Sequence, residues 1–281
     1  MNLTTDKPSG RDQALAKNFR ALLFAAMICL GLFVSAAFAA GAPANIVAFD
    51  PPGAMFTIVR GITTAGVVAG QYEDSNGAFH GFTYDTKGNF VIIDAPGAGK
   101  LSYQGTRLLG VSESGEICGY YIDSTQNTHG YLRNTSGVFT TLDAPNSNGT
   151  LPTGVNDSEE VAGFYTNSNY QNVGFLWTAS GGFTTFAPAQ SAAVDDAQIN
   201  ASGEIAGLYE TRVKRRGYYR AVDGTIITFN GSALATGTYV DGFNDNGAMT
   251  GFFIDTTGWH GFVRQGNSFT EFDVGGSAFT D

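Results

Sequence analysis

The apolar positions of the chain fall in short runs, each closed by a Gly-containing polar turn, and the same run recurs five times. In register, the copies are Gly61–Gly70, Gly110–Gly119, Gly154–Gly163, Gln198–Gly207 and Gly242–Gly251. The closing Gly stands at 70, 119, 163, 207 and 251, giving spacings of 49, 44, 44 and 44. Each copy reads as four short strands. Strand A enters a turn that opens on Thr63, Ser112, Asn156, Asn200 or Asn244, side chains that bond their own backbone two residues on. Gly closes that turn in four of the five copies. Strand B runs as x-[Val/Ile]-Ala-Gly-x-Tyr and ends on Tyr72, Tyr121, Tyr165, Tyr209 or Phe253. After a variable polar loop, strand C begins at His80-Gly81-Phe82, His129-Gly130-Tyr131, Val173-Gly174-Phe175, Arg216-Gly217-Tyr218 or His260-Gly261-Phe262. Strand D follows over 90–94, 139–143, 183–187, 226–230 and 269–273. Alternating apolar residues on B and D fit half-buried antiparallel strands, D less regularly.

A unit of about 44 residues with four antiparallel strands is the size of one propeller blade. The expectation is an all-β chain, a five-bladed β-propeller with repeats at about 55–98, 104–147, 150–191, 194–234 and 238–275. A six-bladed ring and an open β-solenoid are the alternatives. Ile46-Val47-Ala48-Phe49-Asp50 repeats strand D ahead of the first copy and predicts an extra N-terminal strand at 46–50.

Composition agrees with this reading. The 281 residues include 38 Gly and 36 aromatics (22 Phe, 12 Tyr, 2 Trp), with 14% charged residues. That excludes a disordered polyampholyte and a coiled coil, and it disfavours helix, where each Gly costs about 1 kcal/mol. Residues 1–39 read as a signal peptide: Lys7, Arg11, Lys17 and Arg20, then the uncharged run Ala21–Phe38, then Ala37-Phe38-Ala39. An uncleaved membrane anchor is the alternative. Cleavage leaves one domain, 40–281, with eleven basic and 23 acidic side chains and a net charge of −12. So acidic a protein is a poor nucleic-acid binder. Cys118 is then its single cysteine and reads as a buried filler in a column of small residues.

The repeat resembles the HAF-repeat family of extracellular bacterial proteins. Gly154-Val155-Asn156, Ile199-Asn200 and Gly242-Phe243-Asn244 match its first element. His80-Gly81-Phe82, His129-Gly130-Tyr131-Leu132 and Gly174-Phe175-Leu176-Trp177 match its second. Gly replaces Ala after the His throughout, and two copies lack the His. The resemblance implies export and a β-rich repeat fold, and carries no reaction or ligand with it.

Candidate chemistry is sparse. The three histidines, His80, His129 and His260, occupy one repeat position, where a structural hydrogen bond is favoured over a metal ring. Asp50, Asp94, Asp143 and Asp273 share another, suited to satisfying turn amides. Asp195 and Asp196 are adjacent, which on a strand would aim them at opposite faces. Arg212, Lys214, Arg215, Arg216 and Arg220 gather five of the eleven basic residues into one B–C loop and its following strand, a candidate docking spot for an anionic partner. The B–C loops (about 73–79, 122–128, 166–172, 210–215 and 254–259) differ in sequence, and with Trp259 and the histidines they are the candidate ligand contacts. The reading is an exported, non-enzymatic binding or scaffold module for a cell-surface polysaccharide or envelope protein, without cofactor or metal. A glycoside hydrolase-like propeller is the alternative, since such enzymes need only a suitably spaced carboxyl pair.

Overall fold

A computed structural model describes residues 47–273. The expected signal segment, 1–39, lies outside the described residues. Five consecutive four-stranded antiparallel units follow the repeat. The first is β1 (Ala54–Ile62), β2 (Val68–Asp74), β3 (Phe79–Tyr84) and β4 (Phe90–Ile93). The second is β5 (Gly105–Val111), β6 (Ile117–Ile122), β7 (Thr128–Arg133) and β8 (Phe139–Leu142). The third is β9 (Ser147–Val155), β10 (Val161–Asn167), β11 (Asn172–Thr178) and β12 (Gly182–Phe186). In the fourth, strand A is split into β13 (Ala193–Val194) and β14 (Gln198–Ile199), followed by β15 (Ile205–Glu210), β16 (Arg215–Arg220) and β17 (Ile226–Phe229). The fifth is β18 (Gly237–Phe243), β19 (Ala248–Ile254), β20 (Trp259–Gln265) and β21 (Ser268–Phe272).

The recurring Gly of strand B answers to a close approach of strands A and B. A Cβ at Gly70, Gly119, Gly163, Gly207 or Gly251 would lie 2.0–2.3 Å from a strand-A carbonyl oxygen: Ile58, Arg107, Leu151, Asp196 or Tyr239. Strand A bulges beside it, with register shifts at Val59/Gly61, Leu108/Gly110 and Val240/Gly242. In the fourth blade the irregularity widens into the break between β13 and β14. Asp195 and Asp196 therefore sit in a bulge, both amides directed at the Leu208 carbonyl, and not on the continuous strand that adjacency suggested. Three of the five A–B turns behave as the sequence predicts, Asn156, Asn200 and Asn244 each accepting the amide two residues on at 3.1 Å. The shorter Thr63 and Ser112 side chains instead accept the amide four residues on, from Val67 at 3.2 Å and Glu116 at 3.1 Å. Where the closing Gly is missing, Glu159 takes up the left-handed conformation at φ 57°.

Neighbouring blades are joined by two repeated devices. A buried strand-A Thr hydroxyl accepts the amide after the preceding strand D: Thr106 from Ala95 at 2.8 Å, Thr150 from Ala144 and Thr238 from Gly231 at 2.9 Å. Between blades lie apolar clusters, one for each successive pair. Leu108 and Ile93 anchor the first, Cys118, Leu142 and Phe175 the second, Phe186, Tyr209 and Tyr218 the third, and Val240, Phe253 and Phe262 the fourth. Cys118 is thus core filling, and burial pushes its thiol far above the ordinary range.

The seam between the fifth and first blades differs. Val59 is 50% exposed, although Leu108 and Val240 in the same repeat position are 0% and 1% exposed. Phe272 is 47% exposed, against 3% for Ile93 and 1% for Leu142. The expected strand at 46–50 does not complete this seam in its described part. Residues 47–50 belong to no strand, because β21 already pairs along β20 as the outer edge of the fifth blade. Asp50 accepts a hydrogen bond from the Thr57 hydroxyl at 2.7 Å. At the centre, Arg60, Leu109, Thr153, Gln198 and Asp241, one from the innermost strand of each blade, line a channel cavity of about 260 Å³.

The half-buried Asp196 also lines this channel, and desolvation pushes its carboxyl up to about 6. A folded pKa above the unfolded value, about 3.9, means stability that is complete below that value and lost as pH rises through about 6. Asp196→Asn is expected to raise stability at pH 7.5 by about 1–2 kcal/mol and to give no gain near pH 4. Urea unfolding at the two pH values checks this; an equal effect at both would refute it.

Candidate binding stations on the B–C loop face

Three residue columns meet at the B–C end of the blades. The last residues of strand B, or the first of the loop, Asp74, Asp123 and Asp255, turn the chain by accepting amides two residues on, from Asn76, Thr125 and Thr257, each at 2.8 Å. Their carboxylates also face the imidazole of strand C: Asp74 to His80 Nε2 at 3.6 Å, Asp123 to His129 Nε2 at 3.5 Å, Asp255 to His260 Nε2 at 3.2 Å. From the other side, the Asp after strand D takes Nδ1: Asp94 at 2.8 Å, Asp143 at 2.9 Å and Asp273 at 2.9 Å. Each ring stacks on the aromatic that ends strand B, at centroid distances of 4.9 Å on Tyr72, 5.0 Å on Tyr121 and 4.9 Å on Phe253.

An imidazole held between two carboxylates favours its protonated form. The hydrogen bond that Asp94 accepts raises His80, and the one that Asp273 accepts raises His260. At His129 burial acts downward first and the Asp143 contact outweighs it. The amide of Asn127 leads in holding Asp123 well below the usual carboxylate range, and the Thr257 hydroxyl leads for Asp255. The stabilising contribution of the histidines is complete below about 6.5 and is lost as pH rises through their raised values. That of the depressed carboxylates is present above about 3.9 and lost on further acidification.

Stations of this composition occur in the first, second and fifth blades. The third puts Val173 opposite Tyr165, and the fourth puts Arg216 opposite Tyr209, where its Nε donates to Asn230 Oδ1 at 3.2 Å. The histidines therefore lie at the loop ends of their blades, each with its own carboxylates, and form no common ring. His260, Glu271 and Asp273 do present three ligand atoms within 4.8 Å of one another, but His260 Nδ1 already contacts Asp273 at 2.9 Å and Glu271 at 3.3 Å. Beside His129 a cleft of about 330 Å³ opens between the second and third blades, walled by Asn127, Asp143, Asn146, Ser147 and Asn148. Its lining offers hydroxyl, amide and carboxylate groups to a polar ligand.

Four of the five basic candidates stay on the B–C loop and the start of β16, and Arg220 lies apart from them. Lys214 Nζ donates to the Ala235 carbonyl at 2.9 Å, and Arg215 pairs with Glu210 at 2.8 Å. Arg216 is held by Asn230, and Arg220 is buried at the far end of β16, 5.4 Å above the Phe186 ring. Arg212 is exposed. Trp259 is the last ring of a stack with Phe252 at 4.8 Å and Tyr239 at 4.4 Å, with the Arg215 guanidinium 5.5 Å over Tyr239. The column Asp74, Asp123, Asp255 escaped the sequence reading. Its signal was an Asp-Ser or Asp-Thr pair in the same three repeats that carry His.

No family model and no curated protein matches the chain. Solved structures do. Virginiamycin B lyase from Staphylococcus aureus aligns with a TM-score of 0.51 and 13% identity over 82% of this chain and 73% of that one. TolB from Acinetobacter baumannii aligns at 0.52 and 10% identity over 71% of this chain, which spans about half, 49%, of TolB. A six-bladed, fucose-recognising lectin from Aleuria aurantia aligns at 0.47 and 14% identity over 77% of this chain and 76% of that one. At such identities the likeness speaks to fold alone. With its five four-stranded antiparallel units and the likeness to the lyase, the chain is a β-propeller.

Proposed function

We propose that the protein is an exported, non-enzymatic binding module that holds a glycan of the cell surface or envelope at its B–C loop face. The observation that carries this reading is the cleft at His129, where a protonation-prone imidazole, an exposed carboxylate and several amide and hydroxyl groups converge. A carboxylate accepts from sugar hydroxyls, an imidazolium donates to them, and variable loops on a rigid blade framework supply selectivity. The HAF-like repeat and the basic, apolar, Ala-rich start of the chain support export.

The test is a glycan array and an envelope-extract pull-down with the purified chain, beside His129→Ala and Asp143→Asn. The expected result is capture by the parent and at least a tenfold loss in both variants. Capture unchanged in both would overturn the reading, and release of new reducing ends from the captured glycan would favour the hydrolase.

A further inference from the structure

At the opposite end of the blades, where the A–B and C–D turns lie, a cavity of about 240 Å³ opens between the fourth and fifth blades. Arg264, at the end of β20, lines it and is only 8% exposed. Its guanidinium lies 4.6 Å above the Phe229 ring, and among the described residues it makes neither an ion pair nor a hydrogen bond. Unlike the buried, unpartnered Nε of Arg107 and of Arg220, its nitrogens stay accessible from the cavity, where an acceptor could reach them. Burial of the rest of the side chain pulls Arg264 below the ordinary arginine range.

Arg264 belongs to a repeat column, and its turn sets it apart. Arg133 and Arg220 hold the same position in the second and fourth blades, above C–D turns over 134–138 and 221–225. Arg220 Nη1 donates to the Ala221 carbonyl at 3.4 Å, whereas the half-buried Arg133 reaches over Gly137 of its turn and, like Arg264, makes no ion pair or hydrogen bond among the described residues. In the fifth blade the turn shrinks to Gly266-Asn267, and Arg264 faces the cavity.

The other walls narrow the ligand class. Glu204 lines the cavity with its charge already engaged by the Tyr219 hydroxyl at 2.6 Å and Asn200 Nδ2 at 2.8 Å. A second negative charge on the same wall limits how much anionic charge the cavity can take, which favours a singly charged ligand over a dianion. Asn246 and Asn267 offer amides for hydroxyls, and Met249 an apolar wall. A guanidinium fork matches a carboxylate in two parallel hydrogen bonds.

We propose that this cavity is a binding site for a small sugar acid, with its carboxylate paired to Arg264 and its hydroxyls on the rim amides. It lies on the face away from the histidine stations and stands or falls independently of them. The test is calorimetric titration of the full chain with galacturonate, galactose and inorganic phosphate. Galacturonate is expected to bind at least tenfold more tightly than either of the others, and Arg264→Gln to lose at least tenfold. Should that variant fold poorly, Asn267→Asp leaves the Arg264–Phe229 contact in place and adds a carboxylate at the rim. It too should weaken galacturonate at least tenfold. Galacturonate binding no better than galactose, tighter binding of phosphate, or full retention of galacturonate by the folded variants would overturn the assignment.

Discussion

Gly119→Ala is expected to cost on the order of 3–5 kcal/mol and to leave the second blade unable to form its native A–B pairing. The added methyl would sit 2.0 Å from the Arg107 carbonyl oxygen and 3.1 Å from the Leu108 Cα, both backbone atoms of β5. No rotamer change relieves a backbone clash, so β5 would have to move away from β6 and surrender ladder hydrogen bonds. Leu108 would move with it and open the seam to the first blade. The control is Gly115→Ala in the adjoining turn, where nothing lies within 4 Å and only the φ of +99° opposes a side chain. That change is expected to cost about 1 kcal/mol. Urea unfolding of the pair, followed by far-ultraviolet circular dichroism, separates close packing from turn conformation. Similar losses in both would show that the strand-B Gly serves only backbone freedom.

Leu108→Ala is expected to destabilise by about 3 kcal/mol, and Val59→Ala by less than about 1 kcal/mol. The two residues occupy the same repeat position, one sealed between the first and second blades and the other half exposed beside the fifth. Removing buried methyl groups loses transfer free energy and leaves a cavity, whereas truncating an exposed Val does neither to the same extent. Measured m-values should stay equal, since neither variant changes what unfolding exposes. A Val59→Ala loss per methyl group equal to that of Leu108→Ala would mean that the fifth and first blades pack as closely as the rest.

The period of the fold was legible in the sequence because its cause is local. A Gly that touches a neighbouring carbonyl, or closes a turn, leaves a mark at every repeat whatever the surrounding residues do. The histidine and strand-D aspartate columns were legible separately, but not their meeting. Asp143 lies fourteen residues beyond His129, and the contact depends on the pairing of β7 with β8, as well as on the loop that returns Asp123 to the far side of the ring. The arrangement of the basic cluster was only partly legible because neighbours in sequence part company on a strand: Arg215 and Arg216 alternate across β16, and Arg220 lies at its other end. The exposed seam left no sign in the sequence either, since Val59 is as apolar as the buried residues that share its position.

The functional account turns on the three stations, and the chain supplies a direct probe of them, because its three histidines are all in them. Nuclear magnetic resonance of the imidazole Cε1–H groups during a pH titration, repeated with a glycan retained on the array, reads every station at once. The account predicts three titrations above about 6.5 and a glycan-induced shift at His129. Titration at or below that value, or a bound glycan that leaves all three imidazoles unmoved, would contradict it.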